Sequence, residues 1–192
     1  MVVSLNKGGS VSLSKEAPGL TAVVVALGWD RRTTTGQPFD LDASAILADA
    51  ATGRVARDED FVFYNNLSSL DGSVQHSGDN RNGKGAGEDE AIRINLAAVP
   101  ASVAKVVVVA SIYQAEERRQ TFGQVRNAAI RVLDLHSGHE LARYDLSEDA
   151  ALDTAVVFGE LYRFGGEWRF RAIGEGYRSG LRGIAADFGV NV

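Results

Sequence analysis

The sequence predicts a mainly β protein, a β-sandwich of two mostly antiparallel sheets with a few short helices. Short segments rich in β-branched and aromatic residues recur along the chain, turn-forming residues separate several of them, and few segments have a helical period. Many short strands at such spacing are typical of a sandwich. The 192 residues suit one domain, which we place over residues 1–192.

Eight segments carry the strand pattern, and the one from Val106 to Tyr113 is the most apolar of them. Its length suits a buried strand and is far below that of a membrane span. The Gly165-Gly166 pair and the sequence His-Ser-Gly-His at 136–139 each separate two strands and predict β-hairpins. The predicted strands are residues 20–29, 60–66, 91–96, 106–113, 128–135, 140–146, 155–164 and 167–174.

Two helices and one long loop complete the prediction. Residues 115–125 and 179–188 have helical character, although Gly183 weakens the second segment. Residues 77–90 are rich in glycine and acids and predict a long loop. Long loops in compact domains are usually functional or disordered, so the chemistry of this loop bears directly on function.

Composition narrows the classes of function. A net charge of −5 argues against a nucleic-acid surface and against electrostatic docking on anionic lipid, and it makes a cation a natural partner. The absence of cysteine excludes disulfides, thiolate metal sites and a cysteine nucleophile. Neither a signal-peptide pattern nor an apolar run of spanning length occurs. We therefore expect a cytoplasmic protein without direct membrane insertion.

A phosphate loop is one interpretation of the glycine-acid loop. The segment GDNRNGKG, from Gly78 to Gly85, fits the pattern G-x-x-x-x-G-K. Gly85, however, stands where a magnesium-binding hydroxyl is required, and a strand-like segment follows where a phosphate loop opens a helix. The acids from Glu88 to Glu90 would also repel a triphosphate, so the match indicates chance.

Calcium is a second interpretation, and a solvated turn is the third. Asp79 to Glu90 spans twelve residues as an EF-hand loop does, but Arg81 and Lys84 occupy positions that need a ligand and a glycine. The composition still suits calcium, which takes six to eight oxygens from carboxylates, amides and backbone carbonyls. Asp, Asn, Gly and Ser are also common turn formers. The loop residues by themselves leave both interpretations open.

Further acids stand near the ends of other segments. Asp30 follows a predicted strand, and Asp40 and Asp42 lie two residues apart, about 7 Å at Cα in an extended chain. Such a pair can reach one ion from two directions, or it can be two exposed turn acids. Asp60 opens the segment DFVFYNN, and the amides Asn65-Asn66 close it, where they also suit a turn.

Catalytic patterns are weak. There is no nucleophile elbow of the G-x-S-x-G kind, and His76, His136 and His139 are scattered. His76 adjoins the acidic loop and could hold a ligand in place there, although a surface histidine is the simpler interpretation. We expect no enzymatic activity.

Several motifs together carry a family resemblance. The segments ALGWD, FDLDAS, DFVFYNN, SGDN and GEWRFRAIGEGY resemble the tellurium-resistance TerD family, over nearly the whole chain from Ser4 to about Gly189. The resemblance implies a β-sandwich and a soluble bacterial stress protein that binds calcium, with two ions. It implies no established enzymatic activity.

The resemblance also implies a set of metal ligands. Lys84 and Ala86 stand where the family more often has acids, and Glu88 is one methylene longer than the usual aspartate. These departures bear on calcium affinity more than on the existence of a site. The corresponding residues are Asp30, Asp40, Asp42, Asp60, Asn65, Asn66, Asp79, Asn80, Glu88, Asp89 and Glu90.

Two classes of function follow from the resemblance and the residues. One is a calcium-dependent binding module that docks on a membrane protein of the TerC type or on other TerD-like proteins. The other is a metal-dependent enzyme acting on a phosphorylated small molecule, which would need an open coordination position and a general base. Because no cysteine is available to ligate or reduce tellurium, we do not expect direct detoxification by this chain.

Overall fold

The structure is a computed structural model that describes residues 2–30, 32, 35–78, 90–146 and 150–191. These residues form twelve strands and three short helices, with 3-10 turns at Asp58–Asp60 and Phe122–Gln124. The strands are β1 Val3–Leu5, β2 Ser10–Ser12, β3 Ala22–Gly28, β4 Leu41–Asp49, β5 Phe61–Val62, β6 Val74–His76, β7 Glu90–Asn95, β8 Val103–Ile112, β9 Ala129–Asp134, β10 Glu140–Asp145, β11 Ala155–Phe164 and β12 Glu167–Tyr177. The helices are α1 Leu13–Glu16, α2 Ala115–Arg118 and α3 Gly180–Asp187.

The strands build two six-stranded sheets, which confirms the predicted fold class. The first sheet has the order β1-β10-β9-β3-β7-β6, and the second has the order β2-β12-β11-β8-β4-β5. Neighbouring strands are antiparallel, except that β1 runs parallel to β10. The sheets enclose a core to which both contribute.

Strand β8 shows why its sequence is a continuous apolar run. Val106 and Val108 face the core between the sheets, whereas Val107 and Val109 belong to a second cluster on the opposite face. Helix α3 covers that second cluster with Ile184 and Ala185. A strand buried on both faces has no polar side, so the apolar run correctly predicted a buried strand.

Two predictions about glycine are informative. Gly165 and Gly166 have φ values of 58° and 80°, and they connect β11 to β12 as the hairpin prediction requires. Gly183 was expected to weaken the last helix, but α3 continues through it. The position is a glycine because a Cβ there would collide with the side chain of Ser179. Close packing, which the sequence pattern does not report, explains this glycine.

Three local predictions need correction. The predicted strand at 60–66 is only two residues long, because Asp58–Asp60 forms a 3-10 turn and the chain reverses between Phe63 and Asn66. The helix predicted over residues 115–125 ends at Arg118, since Arg119 takes a left-handed φ of 53°. Strands β1, β2, β4 and β6 were not predicted from the sequence. Within the residues that the structure describes, no helix is long and apolar enough to cross a membrane.

Candidate metal site

The acids come together mainly at one pole of the sandwich, where β3 and β8 end and β4, β7 and β9 begin. Asp40 immediately precedes β4, and Asp42 is the second residue of that strand, opposite Ser111 of β8. Their exposed fractions are 8% and 5%, so they are not the exposed turn acids of the alternative interpretation. Buried carboxylates need compensation by cations or hydrogen bonds.

Glu90 bridges the two sheets at this pole. It opens β7 in the first sheet and is 1% exposed. Its Oε2 lies 3.1 Å from Nε2 of His76 and 3.5 Å from the backbone nitrogen of Ala43, which belongs to β4 of the second sheet. Nε2 of His76 also lies 3.0 Å from the carbonyl oxygen of Ala43. His76 thus holds Glu90 in place, and because it is 7% exposed, the simpler interpretation of a surface histidine is wrong.

The environment of His76 acts on its charge in opposite directions. Burial lowers the pKa of the imidazole, but the hydrogen bond and the negative charge of Glu90 outweigh burial, and the charge of Asp42 adds to them, so the pKa of His76 is raised. Nδ1 is 3.0 Å from the backbone nitrogen of Gly78, and it can accept that hydrogen bond only in the neutral ring. The imidazole therefore joins the start of the acidic loop to Glu90.

Asp30 lies at the same pole, two residues beyond the end of β3. It is exposed, and its Oδ2 accepts a hydrogen bond of 2.7 Å from Nδ2 of Asn127. Its backbone nitrogen donates to the carbonyl oxygen of Arg126. Asn127 has a left-handed φ of 53°, an uncommon conformation in which asparagine is enriched. Asn127 thus orients a candidate ligand.

The segment from Asp60 to Asn66 does not join this pole as a unit. Because Phe61 pairs with Ile46, Asp60 lies about 17 Å along β4 from Asp42. Burial raises the pKa of Asp60, although Arg57 opposes the shift from 3.8 Å.

The two asparagines at the end of this segment differ in exposure and contacts. Asn66 uses its amide to donate to the carbonyl oxygens of Phe61 and Glu59 at 2.7 and 3.1 Å, so it closes a turn. Asn65 is exposed.

The remaining candidates lie outside the described residues, namely Asp79, Asn80, Glu88 and Asp89. Within the described part of the chain, no group of three Asp, Glu or His side chains is arranged to hold a metal ion. The ligand set therefore stays a prediction. Asp40, Asp42 and Glu90 lie at this pole, as does Gly78, which precedes residues 79–89 in the sequence. Their carboxylates are the hard oxygen donors that suit calcium.

Sequence reasoning missed the residues that hold these acids. Arg118 places Nη1 3.5 Å from Oδ2 of Asp40, and Gln120 donates from its side chain to the carbonyl oxygens of Gln37 and Pro38 at 2.9 and 3.2 Å. Gln120 is 1% exposed. The sequence did not indicate that Gln120 is buried, because it lies in a polar segment predicted as a helix. Its contacts are with residues about eighty positions earlier in the chain.

Comparison with known proteins gives a consistent result. A family model described as the TerD domain matches residues 1–188. The chain is 57% identical over 191 residues to tellurium resistance protein TerD of Serratia marcescens, covering 100% of this chain and 99% of that protein. It is 52% identical over 193 residues to general stress protein 16U of Bacillus subtilis, covering 100% of both chains.

A solved structure supports the same assignment. The homologue of telluride resistance protein (TerD) from Streptomyces coelicolor A3(2) superimposes with a TM-score of 0.69 at 28% identity, covering 87% of this chain and 96% of that one. Matches in sequence and in structure thus extend over nearly the whole chain. The protein belongs to the TerD family of tellurium-resistance and stress proteins.

Proposed function

We propose that the protein is a calcium-binding module of the bacterial stress response, which acts on protein partners through loops that calcium organises. One observation carries the proposal: Asp40, Asp42 and Glu90 are each less than 10% exposed at a single pole. Buried acidic side chains need compensating positive charge. Arg118 and His76 lie beside Asp40 and Glu90, and a divalent cation would add positive charge where three carboxylates share one pole.

The donor chemistry favours calcium over other metals. Carboxylate and carbonyl oxygens suit hard cations. Zinc and copper favour thiolate ligands, which this chain lacks because it has no cysteine. A glycine-rich loop tolerates irregular coordination with six to eight ligands, which calcium accepts and magnesium does not. Seven carboxylates around one dication would leave much uncompensated charge, so we propose two ions. These carboxylates are Asp30, Asp40, Asp42, Asp79, Glu88, Asp89 and Glu90.

Calcium would act on partners by fixing the acidic loops in one arrangement. The partners we propose are a membrane protein of the TerC type and other TerD-like proteins, with the protein itself in the cytoplasm. The names of the relatives, which describe tellurium resistance and general stress, support a role in stress resistance.

The test compares thermal unfolding in calcium and in EGTA at matched ionic strength. An ion that binds only the folded state adds about 2.7 kcal/mol of stability at roughly 100 times its dissociation constant, so the melting temperature should rise clearly in calcium. Calorimetric titration in a magnesium-containing buffer should then give two calcium ions per chain. An unchanged melting temperature would contradict the proposed calcium site. A stoichiometry of one calcium ion per chain, or equal affinity for magnesium, would contradict the proposal of two calcium ions.

A further inference from the structure

Arg118 occupies a distinctive position beside the candidate site. Its guanidinium lies between Asp40, with Nη1 3.5 Å from Oδ2, and the ring of Tyr113, whose centroid is 5.1 Å from Cζ. The side chains of Arg118 and Asp40 are 18% and 12% exposed, so water screens their interaction only in part. The backbone strengthens the arrangement, because the nitrogen of Tyr113 donates to the carbonyl oxygen of Asp40 at 2.8 Å.

This cation is incompletely satisfied in its position. The Nε of Arg118 is buried and has no hydrogen-bond partner among the described residues. At 3.5 Å the contact with Asp40 is longer than the bidentate pairs in which arginine makes its strongest interactions with carboxylates. Arg143 provides an internal reference, since it forms a fork with Asp145 through bonds of 2.7 to 3.1 Å. The contact between Arg118 and Asp40 therefore lacks the short, two-point geometry of that fork.

The segment that carries Arg118 is also strained. Helix α2 is one turn long, and left-handed residues flank it on both sides, Gln114 with φ 50° and Arg119 with φ 53°. Residues other than glycine and asparagine rarely adopt a left-handed conformation unless the surrounding structure holds them in it. Such backbone strain is found often at sites that switch between conformations. The contacts of Asp40 with Arg118 and Tyr113 are part of those surroundings.

We propose that Arg118 is an internal competitor of calcium: its guanidinium supplies positive charge to Asp40, and calcium must displace it to bind that carboxylate. This inference rests on the proposed function and adds its regulation. The guanidinium stays on the Tyr113 ring, a contact that needs no carboxylate. Calcium binding would thus change the surroundings of the Tyr113 ring, which the guanidinium contacts. It would also affect Tyr64, whose ring is 6.4 Å from that of Tyr113, edge to face. Both rings are more than a third exposed and can meet a partner.

The test uses three variants in calorimetric calcium titrations at one ionic strength. Arg118→Gln removes the competitor and should tighten calcium binding roughly fivefold, as expected for loss of a partly exposed ion pair. Arg119→Gln is the matched control, because it removes the same charge from the next residue, which is exposed. It should change the affinity less than about twofold. Arg118→Lys keeps a charge near Asp40 and should resemble the unmodified protein.

An NMR measurement provides a second readout that does not depend on a stable variant. The side-chain Nε–H resonance of Arg118 should shift during calcium titration of the unmodified protein, whereas that of Arg143 should stay in place. The inference is overturned if Arg118→Gln binds calcium as Arg119→Gln does or more weakly, or if the Arg118 resonance does not respond. If the unmodified protein takes up no calcium, its own flat titration overturns the proposed function and the inference with it.

Discussion

Glu160 and Glu90 are both buried glutamates of this sandwich, with exposed fractions of 2% and 1%, but they are held in different ways. Glu160 lies in β11, where Lys105 approaches Oε2 to 3.0 Å and Arg171 contacts Oε1 from the neighbouring strand. Two permanent cations therefore compensate one carboxylate. Glu90 is held by the imidazole of His76 and by a backbone amide.

The difference indicates what each carboxylate does. At Glu160 the protein supplies the positive charge itself, so this glutamate stabilises the second sheet and leaves no excess charge for an ion. At the pole, Glu90 contacts the backbone nitrogen of Ala43, the residue after Asp42, and the charges of both acids act on His76. A carboxylate held by two permanent cations should matter for folding alone, whereas one at the pole should matter for calcium.

The largest effect on stability is expected from Glu160→Gln. The amide removes the charge that holds Lys105 and Arg171, and breaking a buried ion pair on one side is strongly destabilising. Because these cations are 32% and 48% exposed, water relieves part of the penalty, and we expect a loss of about 2 kcal/mol. Urea unfolding should give the same loss in calcium and in EGTA.

The surface variant Glu167→Gln is the matched control for this prediction. Glu167 lies in the same β11–β12 hairpin as Glu160, but near the turn. Its carboxylate pairs with Lys15 of α1 at 3.2 Å. It should change stability far less. A loss for Glu160→Gln that appears only in calcium would break the comparison, because it would connect this glutamate to the ion.

A smaller effect on folding and a larger one on calcium are expected from Glu90→Gln. In EGTA the amide oxygen can still accept a hydrogen bond from His76 or Ala43, so we expect a loss of about 1 kcal/mol. In calcium the loss should be greater, since the variant gives up a charged ligand. The difference in unfolding free energy between calcium and EGTA should therefore narrow, and an unchanged difference would show that Glu90 is only structural.

Much of the fold could be predicted, because the periodicity of strands and the turn residues act locally. The hairpin at Gly165-Gly166 and the strand β8 are examples. Strand β4 was not predicted, because both of its faces are buried. Its sequence of Ala, Ser and Ile therefore shows no clear alternation of polar and apolar residues. The position of Asp60 depends on the register between β4 and β5, which no local pattern specifies.

The acids of the candidate site were found by type and motif, whereas the residues that hold them were not. Arg118 reaches Asp40 across 78 positions, and the charge balance of a carboxylate is a property of such contacts. His76 was considered for this role because it adjoins residues 77–90 in the sequence, but a surface histidine was the preferred interpretation, and only the structure shows its contact with Glu90. Long-range pairing of a polar side chain has no periodic signal, so it appears only after the sheets are assembled.

The smallest effect on stability is expected from Asn127→Gly, the variant that separates support of a ligand from support of the fold. Glycine adopts the φ of 53° without strain, but it cannot donate the 2.7 Å hydrogen bond to Asp30. These effects oppose each other at an exposed site, so the unfolding free energy in EGTA should change by less than about 0.5 kcal/mol. Calcium affinity should fall about threefold, because Asp30 loses the group that orients it.

Asn127→Ala completes this test, since it removes the same hydrogen bond and keeps the backbone strain. It should be less stable than Asn127→Gly by about 1 kcal/mol in EGTA, yet it should bind calcium with the same reduced affinity. Urea unfolding and calorimetric titration measure the two quantities separately. If calcium affinity follows stability across the two variants, Asn127 acts through the fold. If both variants bind calcium as the unmodified protein does, Asp30 is not a ligand, and the remaining candidate ligands are the buried acids Asp40, Asp42 and Glu90 together with the acids of residues 79–89.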